Sequence, residues 1–309
     1  MSESSKNQIK LYFKNLPEYL ESCKIVDKEN KDVSHTKLGS KKINEYCAKY
    51  KVQDQHKDFF YKIYKDWVFK HNMEAYLTEK HHPDFSPVLI DLDFRYEMDE
   101  KDKISISLDE DSSSEEESDD EEDEKPSQIK WQRKYSVDHI MEFLELYFEV
   151  LETVLDIPEE SKVAYVMEKP SPIYDTDKKV MKDGVHIIMP YIVSGYAPLF
   201  YTRNTIIKNP QVASLFSKLG FTNPVDDIVD EAVIQRNNWF MYGSRKPEKE
   251  PYLVTSIIKW DSKKSKLKIG KRPGAKTHGK LVKLLSVYDF QEDKICSVKN
   301  PKLIEMDLK

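Results

Sequence analysis

The residues best placed to do chemistry are two carboxylates one position apart. In SPVLIDLDFRY, residues 86–96, the apolar run Val88, Leu89, Ile90 ends on Asp91, Leu92, Asp93 and Phe94. Alternate side chains of a β-strand share a face, so Asp91 and Asp93 point together while Leu92 turns opposite. Two such carboxylates at the end of a buried strand repel each other unless a cation lies between them. A hard, oxygen-preferring divalent ion, Mg²⁺ or Mn²⁺, suits them best. The same spacing also closes many ordinary strands with solvated acids, so the rest of the chain must decide.

Two more stretches have the same form, an apolar strand carrying polar residues of unusual type. In KDGVHII, residues 182–188, Lys182, Gly184 and His186 share one face while Val185 and Ile187 take the other. A lone histidine there would be an ordinary core histidine bonded to backbone. With a lysine and a glycine beside it, the face suits a phosphate met by ammonium charge, imidazole and close backbone. In VDEAVI, residues 229–234, Asp230 adds a third acid, followed by Arg236 and then by Arg245 and Lys246. Three acids and a set of bases meet the needs of two-metal phosphoryl transfer, in which carboxylates hold ions about 3.5–4 Å apart and bases neutralise a triphosphate. His81 and His82 are sequence neighbours, so they diverge and make a poor chelate.

The elements that must position these groups follow from periodicity. Aromatic and aliphatic residues recur at helical spacing within HKDFFYKIYKDWVFKHN, residues 56–72, which predicts an amphipathic helix whose aromatics are core. A strand begins at 75–77. A long helix spans 137–155, with Ser136 or Asp138 as its cap. Strands are predicted at 162–168, 182–190, 228–234, 239–244 and 252–260, short helices at 198–208 and 210–219, and a basic loop at 263–276. The alternation argues for a mixed α/β protein with sheets covered mainly on one face.

Composition limits the function classes. The 309 residues suffice for one large domain or two joined subdomains. Residues 109–124, DEDSSSEEESDDEEDE, hold twelve acids, four serines and no base; setting those twelve aside turns the formal net charge of −6 into +6 for the rest. A run of this kind cannot collapse and is expected to be disordered. The folded remainder is basic enough to suit a polyanionic partner. Ser112, Ser113, Ser114 and Ser118 precede acids and would suit an acid-directed kinase. Cys23, Cys47 and Cys296 lack zinc-ligand spacing and suggest no disulfide framework. The amino terminus, MSESSKNQIK, has no apolar signal region and no segment reaches membrane-spanning length, so a soluble intracellular protein is expected.

In order and spacing, VLIDLDF, KDGVHIIMP and VDEAVIQRNNWFMYGSRKP resemble the three motifs of archaeo-eukaryotic primases, most nearly the primase module of the primase–helicases of large nucleocytoplasmic DNA viruses. YLTEK and VMEKPSP, ahead of the first and second motifs, are similar to that group as well. The likeness covers residues 76–252 apart from the acidic insertion. It implies an RRM-like catalytic sheet joined to an N-terminal α/β subdomain. On that basis residues 1–75 form the N-terminal α/β part, 76–262 the catalytic core with a flexible acidic insertion at 99–130, and 263–309 a basic loop and C-terminal helical segment.

The resemblance implies that Asp91, Asp93 and Asp230 are catalytic carboxylates holding two Mg²⁺ or Mn²⁺ ions. Lys182, Gly184, His186, Arg236, Arg245 and Lys246 would bind nucleotide. Gly184 stands where many relatives carry serine, so a hydroxyl contact to phosphate is lost and a backbone N–H must replace it. The implied activity is that of a DNA primase-polymerase: template-directed nucleotidyl transfer on single-stranded DNA, with NTPs or dNTPs as substrates. Its partner would be a replicative helicase, at a viral replication site in the cytoplasm or nucleus of an infected cell. His186 as imidazolium would bind phosphate better, so activity is expected to change with pH near its titration. The same acids and histidine suit a metal-dependent nuclease. A nucleic-acid-binding module of a replication complex, with a structural or lost metal site, is the alternative from a different class. The sequence shows no G-x-x-x-x-G-K-[ST] loop, so a helicase would lie further along a longer chain or in a separate protein.

Overall fold

The computed structural model describes residues 13–27, 29–99, 103–106 and 128–307. The acidic run 109–124, with its four serines, and the first twelve residues lie outside the described residues. After the helix α1 (Leu16–Ser22), three short strands, β1 (His35–Lys37), β2 (Ala48–Tyr50) and β3 (Leu77–Glu79), with the helix α2 (Lys57–Lys65) between the last two, begin a small antiparallel sheet in the order β3-β1-β2. β4 (Phe85–Tyr96) leads out of it, and β5 (Lys103–Ile106) pairs with β6 (Gln128–Trp131). β7 (Val163–Glu168), β8 (Ile173–Asp175) and β9 (Val180–Gly195) then build a larger sheet on β4. β10 (Trp239–Phe240) returns to the small sheet beside β3, while β11 (Leu253–Asp261) and β12 (Lys266–Ile269) complete the large one in the order β12-β11-β7-β9-β4. All of these pairings are antiparallel, and the chain is a mixed α/β protein.

Period-two alternation decides what each face of the large sheet buries. Val88, Ile90, Leu92 and Phe94 of β4 and Val185, Ile187 and Met189 of β9 share one face, and all are buried. The helices that cover them are α3 (Val137–Val154), α4 (Tyr196–Ile206) and α5 (Pro210–Lys218). α3 starts where expected: Ser136 is its N-cap, and the Ser136 N–H donates to Nδ1 of His139 at 3.0 Å. Leu89, Tyr165, Met167 and Ile188 occupy the opposite face and belong to a second core with Phe60, Tyr64, Leu77 and Trp239. The large sheet is therefore covered on both faces, not mainly on one. The small sheet and the aromatics of the helix at Lys57–Lys65 bury the second side, but only along part of it. Where that apolar surface stops, the same face continues as Asp91, Asp93 and His186.

Leu92, with no exposed surface, anchors this arrangement from below. Truncating a fully buried leucine costs about 2–5 kcal/mol through lost burial and the cavity left behind. Leu92→Ala is expected to lose about 3 kcal/mol in urea unfolding, and a loss under about 1 kcal/mol would contradict this packing.

Several sequence expectations need correction. Residues 228–234 are not a strand: a short helix at Val225–Ile228 is followed by turns, and only Val229 makes an isolated bridge, to Leu92. The strand at 239–244 shrinks to Trp239–Phe240. The basic stretch 263–276 contains β12 and the start of a helix at Ala275–Leu284, so it is not a loop. The helix at 56–72 is α-helical only over Lys57–Lys65 and runs on as a π-turn through Asp66–Lys70. Cys23, Cys47 and Cys296 are free thiols.

Candidate active site

The β4–β9 ladder fixes the first groups. Asp91 lies opposite His186, Asp93 opposite Gly184, and Arg95 opposite Lys182. β4 is an edge strand of the large sheet, so its outer N–H and C=O groups need partners. The chain after α5 supplies them. Thr222 N–H donates to Arg95 O at 2.8 Å, Asn223 Nδ2 to Asp93 O at 2.8 Å, and Asp230 N–H to Asp91 O at 3.0 Å. The third acid thus reaches the first two by capping an open sheet edge, not by lying in a strand. Arg203, almost buried, holds the segment from behind through Nε and Nη2 to Val229 O at 3.0 and 2.8 Å. Asp230 Oδ1 accepts from Ala232 N–H at 2.9 Å, which stiffens the turn and leaves its other oxygen for the cleft.

A cavity of about 590 Å³ is lined by Asp91, Asp93, Asp230, His186, Arg236, Arg245 and Lys246. Lys182 and Gly184 are not among its lining; they face an adjoining cavity of about 690 Å³ that also borders Asp93 and Lys246. Lys182 shares a strand face with His186, but four residues of strand span about 13 Å. Its ammonium is paired with Asp175 instead. Arg245 is held by Glu74 at 3.3 Å and Glu250 at 3.9 Å, whereas Arg236 and Lys246 are exposed. His81 Nε2 contacts Asn237 O at 2.9 Å, and His82 Nδ1 accepts from Asp84 N–H at 3.1 Å, so both serve the backbone.

Sequence reasoning missed five contributors. Lys169, just after β7, lines the cavity because β7 pairs with β9. Burial, with Lys246 adding to it, pushes its ammonium below the usual range, while Asp91 and Asp93 pull it back up. Tyr252 stacks on His186 with ring centroids 3.6 Å apart and planes at 14°. On the far wall Thr36 and Thr78 hydroxyls bond each other at 2.6 Å, and Asn238 Nδ2 donates to both at 3.1 and 3.3 Å. The charged end of VMEKPSP was the one available signal for Lys169; nothing in the sequence marked the two threonines.

The carboxylates are only partly balanced by nearby positive charge. Burial first, then Asp93 and Asp230, hold the Asp91 carboxyl well above the usual range, and Lys246 and Lys169 offset this only in part. Burial and then Asp230 raise Asp93. Asp91 Oδ1 is buried without a hydrogen-bond partner. His186 Nε2 lies 3.5 Å from it, but burial, then Lys169 and Lys246, push the imidazole down to about 3. It is neutral near pH 7 and cancels no charge, which corrects the expectation of an imidazolium. An orphaned carboxylate oxygen beside two more carboxylates fits a hard divalent cation in donor chemistry. Among the described residues no group of three carboxylate, histidine or cysteine side chains stands ready as a metal cage. The acids ring the cavity without closing on one point.

The neutral imidazole gives a pH prediction. A base depressed from 6.5 to about 3 stays uncharged above pH 6.5 in the folded state, so stability linked to it is full there and falls as pH drops below 6.5. Activity between about pH 6 and 8 should carry no ionisation of His186. A sigmoid with its midpoint near 6.5 in the wild type, absent from His186→Gln, would contradict this.

With this geometry in hand, comparison with known proteins gives the class. The family described as the C962R protein N-terminal AEP domain, AEP denoting archaeo-eukaryotic primase, matches residues 40–258, and the chain belongs to that family. Over 209 residues it is 28% identical to "Putative helicase L207/L206" of Acanthamoeba polyphaga mimivirus, an overlap covering 67% of this chain. The chain spans only 18% of that relative's length. Among the described residues no helix is long and apolar enough to cross a membrane.

Proposed function

We propose that the chain is the nucleotidyl-transferring module of a DNA primase-polymerase, acting on a single-stranded DNA template with NTPs or dNTPs. One observation carries the proposal: Asp91, Asp93 and Asp230 line the same cavity as Lys169, Arg236, Arg245 and Lys246. Membership of the primase family and the likeness to a viral protein named as a helicase support it. We read the large sheet as the RRM-like catalytic sheet of such enzymes and the small sheet, built mostly from the first 79 residues, as the N-terminal α/β subdomain. Residues 1–75, 76–262 and 263–309 remain our proposed division, with the acids and bases of the site on the central part and Thr36 of its wall on the first. A replicative helicase, on the same longer chain or separate, is the proposed partner, at a viral replication site in an infected cell.

The residues divide the work as follows. Asp91, Asp93 and Asp230 would hold Mg²⁺ or Mn²⁺. Bound there, the ions supply positive charge for deprotonating a 3′-hydroxyl and for the departing pyrophosphate. Lys169 meets triphosphate charge inside the cleft, with the exposed Arg236 and Lys246 at its rim and Arg245 on its wall. Neutral His186 donates or accepts one hydrogen bond at fixed orientation, set by its stack on Tyr252. The polar wall of Thr36, Thr78 and Asn238 faces the nucleoside.

Primer-free synthesis on single-stranded DNA, run with NTPs and with dNTPs in separate Mg²⁺ and Mn²⁺ reactions, tests the proposal. Extended products support it. Shortened labelled DNA points to a nuclease, and DNA binding without product points to a non-catalytic module of a replication complex; either outcome overturns it.

A further inference from the structure

Gly184 lies under Tyr252, the residue just ahead of β11. A Cβ at Gly184 would fall 2.9 Å from the Tyr252 hydroxyl oxygen, 3.1 Å from Leu92 O and 3.6 Å from Asp93 Oδ1. The phenol hydroxyl therefore fills the space that a side chain at 184 would need. Its ring is fixed by the stack on His186, and the Lys169 ammonium stands 4.7 Å from the ring centroid. Tyr252 lines both the cavity of the three acids and the adjoining one that Gly184 faces. Burial, followed by Asp91, Asp93 and Asp183, raises its phenol well above the usual range, so it keeps its proton. Among the described residues no acceptor takes that proton in a hydrogen bond.

A fixed hydroxyl donor on a ring that the Lys169 ammonium covers, in a cleft whose wall also carries Arg236, Arg245 and Lys246, suits an anionic oxygen brought in with the cation that the three acids call for. We propose that the Tyr252 hydroxyl donates to a phosphate oxygen of a bound nucleoside triphosphate, supplying from the approach to β11 the hydroxyl that position 184 of β9 lacks. The inference rests on the nucleotidyl-transfer reading of the site. It also explains the glycine: any side chain at 184 competes with the phenol for one space. The backbone N–H of Gly184 cannot do this work, because it donates to Asp183 Oδ1 at 2.9 Å.

Equilibrium binding of a non-hydrolysable nucleoside triphosphate in Mn²⁺, with thermal melting alongside, tests it. Tyr252→Phe keeps the ring on His186 and removes one oxygen. Its Kd should rise about tenfold, the loss of one hydrogen bond to a charged group, with melting unchanged. Gly184→Ser should weaken binding and lower the melting temperature, since its Cβ meets the phenol oxygen. Combining the two moves the hydroxyl to position 184 and relieves the clash, so binding should return to within about threefold of wild type. Tyr252→Phe with wild-type affinity overturns the inference and leaves nucleotidyl transfer standing. A double variant that binds no better than Gly184→Ser also overturns it. A wild-type chain that binds no triphosphate overturns both readings. The phenylalanine variant alone decides the matter if the serine variants fail to fold.

Discussion

Asp91→Asn is expected to abolish nucleotide incorporation while raising the melting temperature of the metal-free protein. The two effects have one cause. Asp91 Oδ1 is buried without a hydrogen bond, burial and two neighbouring carboxylates oppose its charge, and the adjacent His186 is neutral. A buried acceptor left unsatisfied costs about 1–3 kcal/mol, and an uncharged amide removes the repulsion as well. A gain of 1 kcal/mol moves the midpoint of a chain this size by about 1.5 °C, and a gain of 3 kcal/mol by about 5 °C. Activity should fall by at least about 10²–10³-fold, the scale seen when one group stabilising transition-state charge is removed. Mn²⁺ should raise the wild-type midpoint and leave that of the variant where it was. Melting scans with and without Mn²⁺, beside incorporation assays on the same samples, read all of this. Near-normal activity in Asp91→Asn would remove the carboxylates from the chemistry; an unchanged midpoint would mean their charges are already balanced.

Arg133→Met should be the most destabilising single change outside the cores. The Arg133 guanidinium reaches Glu168 Oε1 at 2.9 Å, Asp183 Oδ1 at 3.3 Å, the Tyr135 hydroxyl and the Lys169 carbonyl. Asp183 has a side chain only 1% exposed, and its carboxyl is already pushed up to about 6 by burial, against the pull of Arg133 and the Gly184 N–H. Removing the arginine strands two carboxylates against each other, which costs about 3–5 kcal/mol for a buried pair that loses one partner. That corresponds to roughly 5–8 °C in melting temperature for a chain of this length. The sign with pH follows from the raised value. An acid whose folded pKa exceeds its unfolded one loses stability as pH climbs from about 3.8 through the folded value. Without Arg133 that value climbs further, so the gap between variant and wild type should be smaller at pH 5 than at pH 8. Asp183→Asn in the same chain should recover part of the loss. Arg133→Lys should not rescue fully, because one ammonium cannot make a planar fork of contacts. A gap that does not change with pH would show that Asp183 is not the stranded charge.

How much of this could be read from the chain depends on whether the deciding forces were local. Asp91 and Asp93 were legible because strand alternation is a property of the backbone, and acids at the end of an apolar strand are conspicuous. Alternation also placed Val185 and Ile187 in the core and His186 toward the cleft. Lys182 shows the limit of the same rule: period two gives the face, while the distance along the strand decides the cavity. Asp230 was recognised as the third acid but assigned to a strand, since VDEAVI reads as a short apolar run that carries acids. Its true path is set by the open edge of β4 and by Arg203, both distant in sequence. Lys169 and Tyr252 reach the site only through the β9–β7–β11 pairing, which no local pattern encodes. His186 was found, but its charge was misjudged because burial and two nearby lysines govern it, and neither is visible in its neighbours along the chain.

The two-residue strand β10 has a consequence for how the protein comes into being. Its Trp239 pairs with Glu79 and its Phe240 with Thr78, so the fourth strand of the small sheet arrives about 160 residues after the third. Pairings that far apart close late, since the entropy of joining the ends precedes any gain from the contact. During synthesis β3 waits with an unpaired edge until the tryptophan emerges, and the wall of Thr36, Thr78 and Asn238 cannot assemble before then. A nascent chain halted ahead of residue 239 would hold Asp91, Asp93 and His186 on the β7-β9-β4 part of the large sheet alone, still without β11 and β12, facing half a cleft. Nucleotide affinity should therefore appear abruptly, late in elongation.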